Sequence, residues 1–289
     1  MTDRRAFWAS ATEVDIKSVC AAQKLQPTAP EPRHITLPVA DLCSSPDGDR
    51  DRQLLRGHVF VVRATGANGW AFGETQANRY SGWVALEAFD DHPKTTSTHR
   101  VAVAKTYAKT THGLKTKGDV TPLSMGSELT VEGETDGWSH ISWSANAGTQ
   151  YVPTQHLVPI KATEADPVAV AQRLIGTPYL WGGNSAFGID CSGLVQIACQ
   201  ACGLPCPGDS DLQCQSLGQS LPEKTLPTRG DLLFWKGHVA WVVDTDTLLH
   251  ANAHHMAVTY EPLKDAIARI AESGDGPVIR HARLTLPNI

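Results

Sequence analysis

Apolar positions change rhythm several times along the chain. Over residues 1 to about 30, Phe7, Trp8, Ala11, Val14 and Val19 recur at mixed three- and four-residue spacing, which predicts a short helix. That stripe breaks at Gln26-Pro27-Thr28-Ala29-Pro30-Glu31-Pro32, which reads as a linker, so residues 1–32 form an N-terminal helix and linker. From His34 to about Asp91 the runs become short and alternating, with turn residues between them: Ile35–Val39, Val59–Val62, Trp70–Phe72 and Gly82–Val84. Strands this short and closely spaced predict a small barrel over residues 33–92.

A second stretch with the same texture follows the linker Asp91–Lys94 and occupies residues 96–160. Its apolar runs are Arg100–Val103, Glu128–Val131, Trp138–Trp143 and Gln150–Pro153. Both stretches carry a Gly-Trp step (Gly69-Trp70, Gly137-Trp138) and then an aromatic-Val step (Trp83-Val84, Tyr151-Val152). Repetition on this scale points to a duplicated module, and the pattern resembles the bacterial SH3-like barrel, which commonly ends in Gly-Trp-Val. After Pro159 the texture turns helical. Asp166 as N-cap, Pro167 at the first helical position and Gly176 at the end give one helix its start and stop, and a further domain fills residues 162–289.

Composition narrows the function classes. The 289 residues are 41% hydrophobic, enough for real cores, and the net charge of -5 supplies no basic field for nucleic acid or an anionic membrane. No run of apolar residues is long enough to span a bilayer, and Glu13, Asp15 and Lys17 interrupt the place where a secretory signal would sit. The expectation is a cytoplasmic protein with small or neutral partners. Seven cysteines, an odd count, fit reduced thiols better than a disulfide framework. Cys199, Cys202, Cys206 and Cys214 have spacings that a metal could use, but the first two fall in an apolar helical run, where a thiol packs as a small hydrophobe.

The chemistry concentrates in two segments. In Phe187-Gly188-Ile189-Asp190-Cys191-Ser192-Gly193, a turn-rich loop gives way to the amphipathic run Leu194, Val195, Ile197, Ala198 and Ala201. Cys191 is therefore expected in the first helical turn, where unpaired amides and the helix dipole favour a thiolate. In Leu232–Val243, two β runs flank Gly237-His238, and Thr247–Asn252 reads as the returning strand. His238 and His250 are twelve residues apart. An odd-numbered loop centred near Asp244 sets the two rings opposite each other on one face, whereas a two-residue turn at Thr245-Asp246 sets them on different faces. Nucleophile Cys191, base His238 and orienting His250 require a loop of three or five residues. Tyr179 is a further candidate, its phenol joining the Cys191 backbone amide at an oxyanion.

Tyr179-Leu180-Trp181-Gly182-Gly183, Asp190-Cys191-Ser192-Gly193, Gly237-His238-Val239 and Leu249-His250-Ala251, in that order, resemble the NlpC-type cysteine peptidase domain. That resemblance implies an α+β, papain-like catalytic domain, helices packed on an antiparallel sheet, preceded by two SH3-like barrels. Similar enzymes are γ-D-glutamyl-L-diamino-acid endopeptidases, which cut short murein peptides with a free N-terminal L-Ala. By the same resemblance Cys191, His238, His250 and Tyr179 are catalytic. Asp190, Ser192, Asp209, Ser210 and Tyr80 are substrate-binding, with Asp209 on the ammonium group and both serines on the D-glutamyl carboxylate. An acidic partner for Tyr80 is open among Asp47, Asp49, Asp51 and Glu74. Relatives often carry Arg before the Asp-Ser step, where this chain has Gly208. No cofactor or metal is implied, since His250, His254 and His255 lack the spacing of a zinc peptidase. Competing readings are a murein-binding or targeting protein, and an acyltransferase or amidase on the same fold.

Overall fold

A computed structural model describes residues 3–6, 17–18, 20–21, 25–66, 69–89, 96–143 and 148–285. The chain divides into two compact units, Met1–Ala162 and Thr163–Ile289.

In the first unit, six strands form one antiparallel sheet: β1 Gln26–His34, β2 Val39–Cys43, β3 Arg50–Leu55, β4 Val59–Thr65, β5 Trp70–Thr75 and β6 Ser81–Ala85, in the order β1-β4-β5-β6-β2-β3. Alternation along β4 turns Phe60, Val62 and Ala64 inward. Cys20, Leu25, Cys43, Ala64, Phe72 and Trp83 pack into one core cluster. The proline-rich segment read as a linker is in fact β1, paired antiparallel with β4 and irregular between Pro27 and Glu31. Its place at the sheet edge is what tolerates three prolines, because an edge strand can turn its missing N–H groups away from the ladder. Ile35 does not open a strand as expected; it makes an isolated bridge to Phe89, and the next strand begins at Val39. Most of the helix expected near the N-terminus, including Phe7, Trp8, Ala11, Val14 and Val19, lies outside the described residues, as does Asp91–Lys94.

Eight further strands follow: β7 His99–Val101, β8 Lys105–Lys109, β9 Val120–Ser124, β10 Glu128–Leu129, β11 Val131–Thr135, β12 Trp138–Ser142, β13 Thr149–Pro153 and β14 Leu157–Pro159. They make a three-stranded sheet, β10-β7-β14, and a five-stranded one, β11-β12-β13-β8-β9, around Val101, Ala108, Leu123, Leu129, Ile141, Val152 and Leu157. Two polar side chains tie this region to the preceding strands. Arg56 stacks on Trp143 at 3.6 Å and donates to the carbonyls of Thr36 and Trp143. His58 accepts from the Leu55 amide at 3.3 Å and donates from Nε2 to the Gly126 carbonyl at 3.3 Å.

The second unit is α+β. Its helices are α1 Pro167–Gln172, α2 Cys191–Ala201, α3 Ser210–Ser216 and α4 Leu263–Glu272. A short hairpin, β15 Asn184–Ser185 with β16 Gly188–Ile189, precedes α2. The main sheet contains β17 Gln219–Ser220, β18 Asp231–Trp235, β19 His238–Val242, β20 Thr247–Asn252, β21 Ala257–Pro262 and β22 Arg280–Arg283, in the order β17-β22-β18-β19-β20-β21. Asp166 caps α1 by accepting from the amides of Val168 and Ala169. Helix α2 packs against β19 and β20. Helix α4 buries Ala266 and Ile270 against Leu233, Trp235, Ala240, Val242 and Leu248. None of the described helices is long and apolar enough to cross a membrane.

Candidate active site

Cys191 is the first residue of α2 and is 6% exposed. Asp190 forms the cap: Oδ1 accepts from the Gly193 amide at 2.6 Å and the Ser192 hydroxyl at 2.8 Å, and Oδ2 accepts from the Gly182 amide at 3.1 Å. One carboxylate thus starts the helix and ties it to the preceding loop. Gly193 permits that closeness. A Cβ there would stand 2.6 Å from the Gly183 carbonyl oxygen and 2.8 Å from Asn184 Oδ1. Asp190 and Ser192, carried over as substrate-binding residues, bond each other in this cap and are both buried.

Tyr179 is anchored through its backbone, its amide bonding the Met256 carbonyl at 3.0 Å while its own residue bridges Ile189. Burial pushes its phenol up, and the charges of Cys191 and Asp190 add to the effect. Tyr179 therefore keeps its proton at neutral pH and has it available to donate. Asp209 and Ser210 begin α3, where the Asp209 carbonyl accepts from the Gln213 amide at 2.8 Å. Two buried glutamines that sequence reasoning passed over tie this stretch to α2. Gln196 Nε2 donates to the carbonyls of Cys206 and Pro207 at 3.2 and 3.1 Å, and Gln213 Nε2 donates to those of Ser192 and Pro207 at 2.9 and 3.0 Å. Gln196 has one sequence signal, a polar residue inside an otherwise apolar helical face, and Gln213 has none, because the helix that carries it is polar along most of its length.

The two histidines lie on one face of the sheet. Trp241 pairs with Leu249 and Val242 with Leu248, while the Val243 amide bonds the Thr247 carbonyl at 2.9 Å. Asp244, Thr245 and Asp246 remain as a three-residue loop. Its centre is Thr245, one residue beyond the expected Asp244, so the rings are diagonal neighbours rather than directly opposite. Parity is preserved, and His238 Nε2 meets His250 Nδ1 at 2.9 Å. Behind His250, whose exposure is 0%, Glu261 Oε2 receives its Nε2 at 2.9 Å. Arg269 clamps the same carboxylate, Nε to Oε1 at 2.8 Å and Nη2 to Oε2 at 2.7 Å. Burial lowers both imidazoles: His238 falls to about 3, helped by the charges of His250 and Arg269, and His250 falls although its bond to Glu261 opposes the change. Burial also works to raise the Glu261 carboxyl, but the bonds from Arg269 and His250 prevail and hold it well below the usual carboxylate range. Glu261 and Arg269 did not emerge from the sequence, since each is joined to His250 only through the β20–β21 register and the α4 packing.

The remaining candidates fall elsewhere. Tyr80 belongs to the first unit, buried at the turn between β5 and β6. Of its possible acidic partners, Glu74 is paired with Arg63 and Arg79, Asp51 is paired with Arg4, and Asp47 and Asp49 lie exposed between β2 and β3. No disulfide joins the seven cysteines, and no group of three metal-ligating side chains occurs among the described residues. Cys199 hydrogen-bonds to Cys206, and that bond together with burial pushes its thiol up.

Comparison with known proteins agrees with this architecture. Residues 176–270 match the NlpC/P60 family, and residues 42–89 match the bacterial dipeptidyl-peptidase SH3 domain. The chain therefore has an NlpC/P60-family cysteine-peptidase fold, papain-like and α+β, preceded by an SH3-like β-domain. Dipeptidyl-peptidase 6 of Lysinibacillus sphaericus is 26% identical over 234 residues, covering 74% of this chain and 85% of its own length. Gamma-D-glutamyl-L-lysine dipeptidyl-peptidase of Bacillus subtilis (strain 168) is 32% identical over 115 residues, covering 36% of this chain and 38% of that protein. The crystal structure of an NlpC/P60 family protein from Bacillus cereus ATCC 10987 superposes with a TM-score of 0.72 at 19% identity, covering 89% of this chain and 100% of that one.

Proposed function

We propose that this chain is a cysteine peptidase that hydrolyses the bond between γ-D-glutamate and a diamino acid, diaminopimelate, in short murein peptides with a free N-terminal L-Ala. The observation that carries the proposal is Cys191 at the N-terminus of a helix packed on the strands that hold the hydrogen-bonded His238–His250 pair. The names of the relatives, which specify γ-D-glutamyl-L-lysine and dipeptidyl-peptidase, support the substrate class. In this reading His238 takes the Cys191 proton and the thiolate adds to the γ-carbonyl carbon of D-glutamate. Tyr179 and the Cys191 amide stabilise the oxyanion. Collapse breaks the C–N bond, the amine leaves with the proton from His238, and water then releases the acyl group from sulfur.

Incubating L-Ala-γ-D-Glu-meso-diaminopimelate and its L-lysine counterpart with the chain and with Cys191→Ala, read by mass spectrometry, tests the proposal. Release of the dipeptide by the parent and none by the variant is expected. Equal release by both overturns the mechanism, and release from the lysine peptide alone overturns the choice of diamino acid.

The same reading makes residues 96–160 a second SH3-like barrel. In both β regions a glycine with positive φ, Gly69 at 83° and Gly137 at 78°, precedes the strand-opening tryptophan, and the aromatic-Val strand runs into a 3₁₀ turn, Leu86–Ala88 or Thr154–His156. Thiol-state cysteines suit a reducing compartment, so the proposed role is recycling of imported wall peptides in the cytoplasm. Fractionation that finds the protein outside the membrane overturns that role.

A further inference from the structure

The Cys191–His238–His250 reading gives the Glu261–Arg269 pair no role, and this inference rests on that reading. We propose that Glu261, held by Arg269, is a positioning residue that sets the proton positions on both imidazoles, acting on the base through His250. The argument follows the hydrogens. Glu261 is an acceptor, so His250 carries its proton on Nε2, facing Oε2 at 2.9 Å. A neutral His250 then offers a lone pair at Nδ1, and His238 must fill the 2.9 Å contact by donating from Nε2. Neutral His238 is left with its lone pair on Nδ1, the nitrogen available to a thiol. Two rings in series thus transmit one carboxylate's preference to the base.

Arg269 has a separate task. A bare carboxylate beside a buried imidazole draws a second proton onto it, and an imidazolium at His250 would donate from Nδ1 and reverse the relay. His238 would then hold its proton on Nδ1 and could accept nothing there. The two bonds from Arg269, 2.8 and 2.7 Å, offset the charge of Glu261 and keep its role orienting rather than protonating. Burial of both rings acts in the same direction. The charged or titratable groups around the pair are Glu261 on β21, Arg269 on α4 and His255 in the β20–β21 turn. From α2, which packs on β19 and β20, come Cys191 and its cap Asp190.

Two readouts that need no peptide substrate test the proposal on the full chain. Long-range ¹⁵N–¹H spectra of histidine-labelled protein, assigned with His238→Gln and His250→Gln, report the tautomers. Iodoacetamide alkylation of Cys191 across pH, followed by mass spectrometry of its peptide, reports the base. The parent should show Nε2–H forms for both rings. Glu261→Ala should bring in Nδ1–H forms and slow alkylation at pH 7 at least about 10-fold, a fraction of the roughly 10⁴-fold that a wrong tautomer costs a serine triad. Because that variant leaves Arg269 without its partner and could disturb folding, Arg269→Met is read beside it. There the acid limb of the alkylation profile should move up by about one pH unit, as expected for an imidazole beside an uncompensated carboxylate, whereas Glu261→Ala should move it down. Unchanged tautomers in Glu261→Ala, or limbs that move in the same direction in both variants, would falsify the proposal. If the parent cleaves no murein peptide while the tautomers respond as described, the peptidase reading fails and the relay stands.

Discussion

Replacing Gly193 by alanine tests how tightly the nucleophile helix is set against its loop. The added Cβ would meet the Gly183 carbonyl oxygen at 2.6 Å, Asn184 Oδ1 at 2.8 Å and Ile189 Cγ1 at 3.1 Å. Reaching an ordinary contact of roughly 3.5 Å requires the helix and the loop to separate by about 0.9 Å. Neither side yields easily. Asp190 ties the loop to the helix through Gly182 and Gly193, and Asn184 is bonded to Gln196 at 3.0 Å. Overpacking of this kind costs about 1–3 kcal/mol, and the better helix propensity of alanine returns about 0.5–1 kcal/mol, so the net loss is about 0–2.5 kcal/mol. The functional effect should be larger, because a displacement near 1 Å at a reacting group can cost about 100-fold in rate. We expect Gly193→Ala to fold, to lose a few degrees of thermal stability, and to fall about 100-fold in kcat/KM on the murein tripeptide, with slower alkylation of Cys191. A folded variant with wild-type alkylation and turnover would refute the reasoning.

Two further substitutions probe other parts of the structure. His58 is lowered to about 4, burial outweighing its bond to Gly126. The unfolded chain therefore binds the proton first, and stability falls as pH drops from 6.5 towards 4. His58→Gln, which can still accept and donate, should remove about 1–2 kcal/mol of that loss at pH 5 after allowance for the partial exposure of the residue; hydrogen exchange in residues 50–65 at pH 7 and pH 5 measures it, and an unchanged pH dependence counts against the assignment. Gln213→Ala strips the Ser192 carbonyl of a buried donor, while the Pro207 carbonyl keeps Gln196 Nε2 at 3.1 Å, so the expected cost is about 1–3 kcal/mol with faster amide exchange at the start of α2. Protection equal to the parent's would exclude that bridge.

How much the sequence disclosed depended on the range of each interaction. The Asp166 and Asp190 caps, the α2 start and the shared face of His238 and His250 follow from local rules of capping and parity, and they are legible in short windows. The loop centre was off by one because several hairpin closures satisfy the same parity, and only the Val243–Thr247 bond selects among them. Glu261 stayed hidden for a different reason. Whether an acid eleven residues after His250 faces it depends on the β20–β21 pairing, in which Thr259 opposes His250 and Glu261 falls on the adjacent diagonal. The Gln26–Pro32 segment shows the opposite failure: its composition argued against a strand, and edge position in the assembled sheet overrode composition.

The loop at Asp244–Asp246 has a consequence for how such a chain can vary. It lies at the surface and is closed by the Asp246 amide on Asp244 Oδ1 at 2.9 Å, so its residue types are exchangeable within ordinary turn chemistry. Its length is not. One residue more or less would either be absorbed as a bulge or turn His250 to the opposite side of the sheet from His238, separating it from Glu261 as well. Insertions and deletions here are therefore expected in twos, and a surface loop free to drift in composition keeps the memory of the site in its parity.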